Sequence, residues 1–316
     1  MGGRLTRRPY IGAEMSLFHH AIAGWRDWSQ VYQSIPAFTP LAEYILRKEN
    51  LPVVPLEHLT PGTNAVFRAG DYVLKIYAPP ESGFNEPDEL QTEIFSAQRA
   101  GRLGLNAPKL IAEGLVKDKY DFAYMIMEFI PGIELKEAVK AMTDDEKFAI
   151  AQKLRAATDR MNTPCEAFNN IDALHDRHRW ERWDKFSERL RKERAAWIET
   201  HDFGAFVFCH GDLCGDNILI SPQGEIYIID FADALPAPID YEHALLAAEF
   251  DYDPALMQGY FGEEPVDTLA ERCFAGTLIH DFGGDIAAQR IARPEEVDCL
   301  EELRQVLYQK IEGAFA

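Results

Sequence analysis

The stretch His210-Gly211-Asp212-Leu213-Cys214-Gly215-Asp216-Asn217, with the apolar run Ile226-Tyr227-Ile228-Ile229 that leads into Asp230-Phe231, constrains this chain more than any other segment. Between them, Ile218-Leu219-Ile220 and Ser221-Pro222-Gln223-Gly224 read as a strand and a tight turn, with proline and glycine where a turn wants them. A hairpin of that length returns the end of its second strand to the start of its first. Asp230 is therefore predicted beside Asn217, with both able to reach one metal ion, and Asp212 lies in the loop ahead of the first strand. Two oxygen ligands for a hard cation, and a carboxylate to orient and deprotonate a hydroxyl, are the parts phosphoryl transfer asks of a protein. The competing reading is an ordinary hairpin with polar ends, since Asp and Asn favour turns. It explains any one of these residues better than all three at this spacing.

At these residues the chain resembles the aminoglycoside phosphotransferase and choline kinase-like family, a branch of the protein-kinase-like fold. That family's loop reads H-G-D-x-x-x-x-N and its metal motif I-D-F, matched here by His210-Gly211-Asp212 with Asn217 and by Ile229-Asp230-Phe231. Protein kinases favour H-R-D and D-F-G. Gly211 and Ala232 depart from both, which points toward small-molecule substrates. Asp281-Phe282-Gly283 spells the protein-kinase metal motif, but no apolar strand leads into it. It reads as a helix end or a turn between helices, and Asp230 is kept as the metal ligand. The resemblance implies an α+β, two-lobed kinase-like fold with a strand-rich N-terminal lobe and a mainly helical C-terminal lobe. It further implies ATP or GTP with Mg²⁺ between the lobes, Asp212 as catalytic base, and Asn217 and Asp230 as metal ligands.

Such a fold makes demands upstream. Pro61 to Tyr77 carries an Ala69-Gly70-Asp71 turn between two strand-like runs, a hairpin signature. Lys75 lies between Leu74 and Ile76 and projects from one strand face. The resemblance makes it the lysine on the α- and β-phosphates, and it places Thr63 and Asn64 in the loop over the phosphates, where backbone N–H groups meet oxygen atoms. Taken alone, Lys75 reads more simply as an exposed strand charge. Pro87-Asp88-Glu89 opens a helix in the manner of helix N-termini, with Leu90, Ile94 and Ala97 at helical spacing. Glu89 and Glu93 share a face, and Glu93 better matches the family's lysine-positioning glutamate. Phe122 to Gly132 reads as a strand ending in a Pro-Gly turn. The resemblance makes it the linker that meets the nucleotide base through backbone groups around Glu128 and Ile130.

At 316 residues and 47% hydrophobic, the chain can bury one large core or two lobes. The expected division is an N-terminal helical extension over 1–50, a nucleotide-binding lobe over 51–130 and a helical lobe over 131–316. In the extension, Trp25 to Ile35 follow helical spacing and Thr39-Pro40 opens a further short helix. Thr143-Asp144-Asp145-Glu146 is an N-cap with an acidic first turn. Trp180 to Trp197 and Pro294 to Ile311 each read as an amphipathic helix. Met1 to Thr6 formally fits an N-myristoylation pattern and Arg7-Arg8 faintly a twin-arginine signal; with no apolar core after them, neither is adopted. No stretch approaches membrane-spanning length. Five cysteines without paired spacing point to reduced thiols and a cytoplasmic protein.

The net charge of −20 argues against nucleic acid, whose phosphates an acidic surface repels. It suits a cationic acceptor, whose local concentration an acidic cleft raises. Downstream of Phe231, Asp233, Asp240, Glu242, Glu249, Asp251 and Asp253 are interleaved with Tyr241, Phe250 and Tyr252. The resemblance puts the acceptor against this region, making Asp233, Asp240, Glu242 and Asp253 candidate substrate contacts, with aromatic rings suited to quaternary ammonium groups. A solvated helix face with N-caps is the equal alternative. The family's G-D-P-x-x-D after the metal motif is replaced by Pro236 to Glu242, so the acceptor stays open among aminoglycosides, choline-like amines, sugars, homoserine and macrolides, with a cationic aminoglycoside or amino-alcohol type favoured. An atypical protein kinase and a non-catalytic nucleotide-binding module are the other readings. The absence of an Ala-Pro-Glu segment and the short span after Asp230 weigh against the first, and the complete set of expected catalytic residues against the second.

Overall fold

The computed structural model describes residues 16–60, 62–84, 88–176, 178–262 and 264–316. The lipidation and twin-arginine patterns, Pro61 and Pro87 lie outside the described residues. Two compact units divide the chain: Met1–Glu86 with Ile111–Phe129, and Pro87–Leu110 with Ile130–Ala316.

The first unit is built on a five-stranded sheet in the order β1-β2-β3-β5-β4. Its strands are β1 (Glu57–His58), β2 (Ala65–Ala69), β3 (Tyr72–Ile76), β4 (Leu110–Lys117) and β5 (Asp121–Glu128). The β2–β3 hairpin turns at Gly70, whose φ of 66° lies in the left-handed region open to glycine. Two helices cover this sheet, α1 (Trp25–Ser29) and α2 (Ile35–Lys48). Phe38 and Leu41 of α2 join Phe18, Trp28, Phe67 and Phe122 in one buried cluster. Residues 16–50 thus share the core of the strands. The sequence reading started the second helix at Thr39, but it starts at Ile35. The Ser34 hydroxyl accepts from Ala37 N, and Pro36 sits in the first turn, where its missing N–H costs nothing. Pro40 is carried inside α2.

The second unit begins with α3 (Glu89–Leu103), closed by Gly104 at φ 64°. After the short β6 (Ile133–Glu134) and α4 (Leu135–Ala138) comes α5 (Asp144–Met161), where the expected N-cap Thr143 turns out to form a reciprocal capping box with Glu146. The expected helix from Trp180 to Trp197 is broken into α6 (His178–Glu181) and α7 (Glu188–Thr200). Trp183 and Phe186 are buried in the interruption, and Ser187 starts α7 by accepting from Leu190 N. Strands β7 (Phe206–Cys209), β8 (Ile218–Ile220), β9 (Ile226–Ile228) and β10 (Leu235–Pro238) frame the sequence segment of interest. Beyond them lie α8 (Ile239–Glu249), α9 (Pro254–Phe261), α10 (Val266–Ile279), α11 (Gly283–Ile286) and α12 (Leu300–Phe315). The last expected helix also starts late: Pro294–Glu296 is a 3₁₀ turn, followed by extended Val297.

Helix α8 is buried from Tyr241 through Ala248, as a central helix is, and carries Glu242 and His243 as buried polar side chains among apolar ones. Gly276 of α10 lets the two helices close, since a Cβ there would stand 1.8 Å from the Asp240 carbonyl oxygen. None of the described helices is long and apolar enough to cross a membrane. The five cysteines are all free thiols.

Candidate active site

The hairpin forms with the expected register: Ile218 pairs with Ile228 and Ile220 with Ile226. Ile229 N–H donates to the Asn217 carbonyl at 3.0 Å, which brings the end of β9 back to the start of β8. Asp230 follows at once, with φ 58°, a left-handed conformation that Asp tolerates better than most residues. On the other side, β7 and β10 pair with Cys209 opposite Leu235, so the loop from His210 to Asn217 springs from a fixed strand end.

Inside that loop, Asn217 Nδ2 donates to the Asp212 carbonyl (2.8 Å) and to its carboxylate Oδ2 (3.0 Å). With its nitrogen so engaged, the Asn217 amide keeps its oxygen as the available ligand atom. His210 is fully buried. Its Nε2 meets the Ile229 carbonyl at 2.9 Å, and its Nδ1 accepts from Asp212 N–H at 3.3 Å. The second contact requires a bare Nδ1, so the proton sits on Nε2 and the ring is neutral. Burial agrees, pushing the imidazole down to about 4. His210 thus ties the loop of Asp212 to the strand that presents Asp230.

Glu242 closes the loop from behind. Buried on α8, its carboxylate accepts from His210 N–H (2.8 Å) and Gly211 N–H (3.5 Å). Desolvation lifts its carboxyl to about 8 despite those bonds. Gly211 has φ 85°, and an added Cβ would stand 2.0 Å from the Asp233 carbonyl oxygen. Only glycine fits between His210 and Asp212.

Asp212 is pushed up to about 7, first by burial and then by the carboxylates of Asp233, Asp230 and Glu249, against the lowering effect of the Asn217 bond. The donor set fits a divalent cation. Asn217 and Asp230 supply hard oxygen atoms, and the crowded carboxylates leave negative charge for it to neutralise. Among the described residues no group of three His, Cys, Asp or Glu side chains could hold a metal. Mg²⁺ takes one or two protein ligands and completes its shell with phosphate and water, a demand that the Asn217 and Asp230 oxygen atoms would meet.

The four candidate acceptor contacts do not form one cation-binding face. Asp233 is exposed and acts on Asp212. Glu242 is buried under the loop. Asp240 is paired with Arg272 at 2.7 Å, and Arg272 also holds Glu264. Asp253 caps α9, accepting from Ala255 and Leu256 N–H, and pairs with Lys147 at 2.6 Å. The alternative of helix caps and internal ion pairs holds for Asp240 and Asp253, while Glu242 is turned inward because α8 is central. Sequence reading missed the supporting roles of His210 and Glu242, and also Glu249, which accepts from Gly215 N–H at 3.3 Å. A cavity of about 30 Å³ bordered by Leu135, Leu213, Ile218, Leu246 and Glu249 holds little more than water.

Asp281 sits in the turn between α10 and α11, 3.3 Å from Arg182. The glycines after it serve packing: added Cβ atoms would stand 2.0 Å from the Thr277 carbonyl oxygen at Gly283 and 2.3 Å from that of Arg182 at Gly284. In the first unit, Lys75 is buried on β3 opposite Val66 and Met125. Thr63 is exposed, whereas Asn64 is buried with its Oδ1 accepting from Ala78 N–H at 2.9 Å. Glu128 ends β5, and Phe129 N–H then bonds the Asp71 carbonyl at 2.9 Å. Glu93 is buried on α3 and Ile130 is buried just past β5, both in the second unit.

An antiparallel strand unit, a helical unit and this loop together define a kinase-like phosphotransferase. Residues 62–272 match the profile of the APH, or phosphotransferase enzyme, family, and the chain belongs to that family. It is a phosphotransferase acting on hydroxyl groups. Aminoglycoside 3'-phosphotransferases of Streptomyces ribosidificus and Streptomyces fradiae are each 24% identical to it, covering 66% and 62% of this chain and 82% and 75% of theirs. Among solved structures, the GDP complex of aminoglycoside 2'-phosphotransferase-IIIa has a TM-score of 0.57 at 19% identity, covering 89% of this chain and 99% of that one. Choline kinase LicA from Streptococcus pneumoniae has a TM-score of 0.54 at 16% identity, covering 87% and 99%. These two share the fold.

Proposed function

We propose that the protein transfers the γ-phosphoryl group of ATP or GTP to a hydroxyl of a small, cationic acceptor of aminoglycoside or amino-alcohol type. The observation that carries this reading is the juxtaposition of Asp212, Asn217 and the end of β9 by the Asn217 amide and the Ile229–Asn217 hydrogen bond. Asp212 orients the acceptor hydroxyl and takes its proton. Asn217 and Asp230 hold Mg²⁺, which when bound neutralises charge on the nucleotide phosphates. Lys75, steadied by Glu93, contacts the α- and β-phosphates, Thr63 and Asn64 belong to the loop over them, and backbone groups around Glu128 and Ile130 meet the base. Asp233 and Glu249, both acting on Asp212, supply the negative surroundings that favour a cation. The relatives' named substrates and the net charge of −20 support the same acceptor class, and that charge disfavours nucleic acid. Five free thiols suit a reducing, cytoplasmic setting.

A coupled assay of hydroxyl acceptors (aminoglycosides, amino-alcohols, neutral sugars) with ATP and with GTP tests the reading. Asp212→Ala is expected to lower kcat about 10²- to 10⁴-fold with nucleotide affinity nearly unchanged. Full activity in that variant would remove Asp212 as the base.

A further inference from the structure

The family match starts at residue 62, and the described segment from Ser16 to Thr60 precedes it. That segment is anchored at one end by Asp118, whose carboxylate accepts from Leu17 N–H (2.9 Å), Phe18 N–H (2.8 Å) and the Ser16 hydroxyl (2.9 Å). Its first helix then reaches the stretch between Gly62 and Ala65. Trp28, fully buried, donates its indole N–H to the Thr63 carbonyl at 2.9 Å. Gln33 Nε2 lies 3.5 Å from the Asn64 carbonyl. The Asn64 side chain is engaged with Ala78 N–H, and Gly24 N–H bonds the Glu81 carbonyl at 2.8 Å beside a Trp25–Phe84 ring contact. The segment 24–33 therefore grips both the loop before β2 and the stretch after β3.

We infer that α1 is a clamp on the phosphate-covering loop, with Trp28 its positioning residue; this rests on the nucleotide reading above. The physical basis is the planar trans peptide, in which a carbonyl and the following N–H point in opposite directions. Drawing the Thr63 carbonyl toward Trp28 aims the Asn64 N–H to the other side of the loop. A loop with Gly62 as its one described glycine is thereby held in a single orientation, so less ordering accompanies phosphate binding. The neighbouring rings, Tyr32 stacked at 6.1 Å and Phe38 edge-on at 5.9 Å, fix the indole.

The test uses the full chain, with Mg²⁺ and non-hydrolysable ATP and GTP analogues as phosphate-bearing probes, and adenosine and guanosine as probes without phosphates. Trp28→Phe keeps an aromatic ring but removes the donor together with part of the indole's volume, a packing loss that bears on both kinds of probe. It is expected to raise the Kd for the triphosphate analogue about threefold to tenfold, the worth of one hydrogen bond, with the nucleoside Kd within about twofold. Gln33→Ala, at a partly exposed site, should shift affinity the same way by about twofold. General loosening of the unit would weaken both probes alike. Equal weakening, or no phosphate-selective loss in either variant, overturns the clamp. Lys75→Met separates the two claims: unchanged triphosphate affinity there removes the nucleotide reading itself, whereas a loss there without one in Trp28→Phe removes only the clamp.

Discussion

The loop that carries Asp212 is held by the buried groups His210 and Glu242, and their titration makes the hold measurable. His210 is neutral when folded, at about 4 against 6.5 when free. An unfolded histidine takes up a proton as pH falls below 6.5, while the folded one resists until about 4. Its stabilisation is therefore present above pH 6.5 and lost as pH falls toward 4, on the order of 3 kcal/mol in full. Glu242 has the opposite sign. Raised to about 8 from 4.5, its stabilisation is complete below pH 4.5 and lost as pH rises through 8. Urea unfolding across pH 4 to 9 should show His210→Asn without the acid-side loss and Glu242→Gln without the loss that builds between pH 4.5 and about 8. Variants that track the wild-type profile would place both charges elsewhere. That Asp212 and Asn217 share one short loop was legible from their spacing. The work of His210 was not, since a buried, single-tautomer imidazole reads in sequence as one more motif letter.

At the scale of elements, periodicity found helices well where a cap agreed with it. Thr143 is the expected N-cap, closed into a box by Glu146, and Thr143→Ala should lower stability by about 1 kcal/mol with activity unchanged, as thermal denaturation and turnover would show. An equal loss of turnover would mean that α5 does more than support. The helices misjudged from sequence are those where packing or a cap overrode periodicity. Burial of Trp183 and Phe186 splits the helix after Glu181, buried Val297 and Cys299 delay the last one, and Ser34 starts α2 a turn early. The loop itself depends on one backbone choice. Gly211→Ala puts a Cβ against the Asp233 backbone at a left-handed φ, so Asp212 must move. Turnover in that variant is expected to fall at least about 10²-fold, while far-ultraviolet circular dichroism stays near wild type. Normal turnover would show that the loop tolerates the other conformation.

Over the whole molecule, a charge of −20 acts at long range and without regard to contacts. Charged acceptors are steered by it and salt screens it, with a Debye length of about 10 Å at 0.1 M falling to about 3 Å at 1 M. The KM of a cationic acceptor should rise several-fold between those ionic strengths, with kcat and the KM of a neutral acceptor nearly constant. A flat KM for the cation would confine recognition to short contacts. Sequence by itself determined the strand–turn–strand segment, because that rests on local periodicity and turn chemistry, and the spacing of Asp212, Asn217 and Asp230 carried the resemblance that implied the two-lobed fold class. Only the tertiary structure decided which carboxylates face outward. Asp240 and Asp253 went to ion pairs and a helix cap, and Glu242 went beneath the catalytic loop. A charge in sequence carries no direction until the packing of a central helix gives it one.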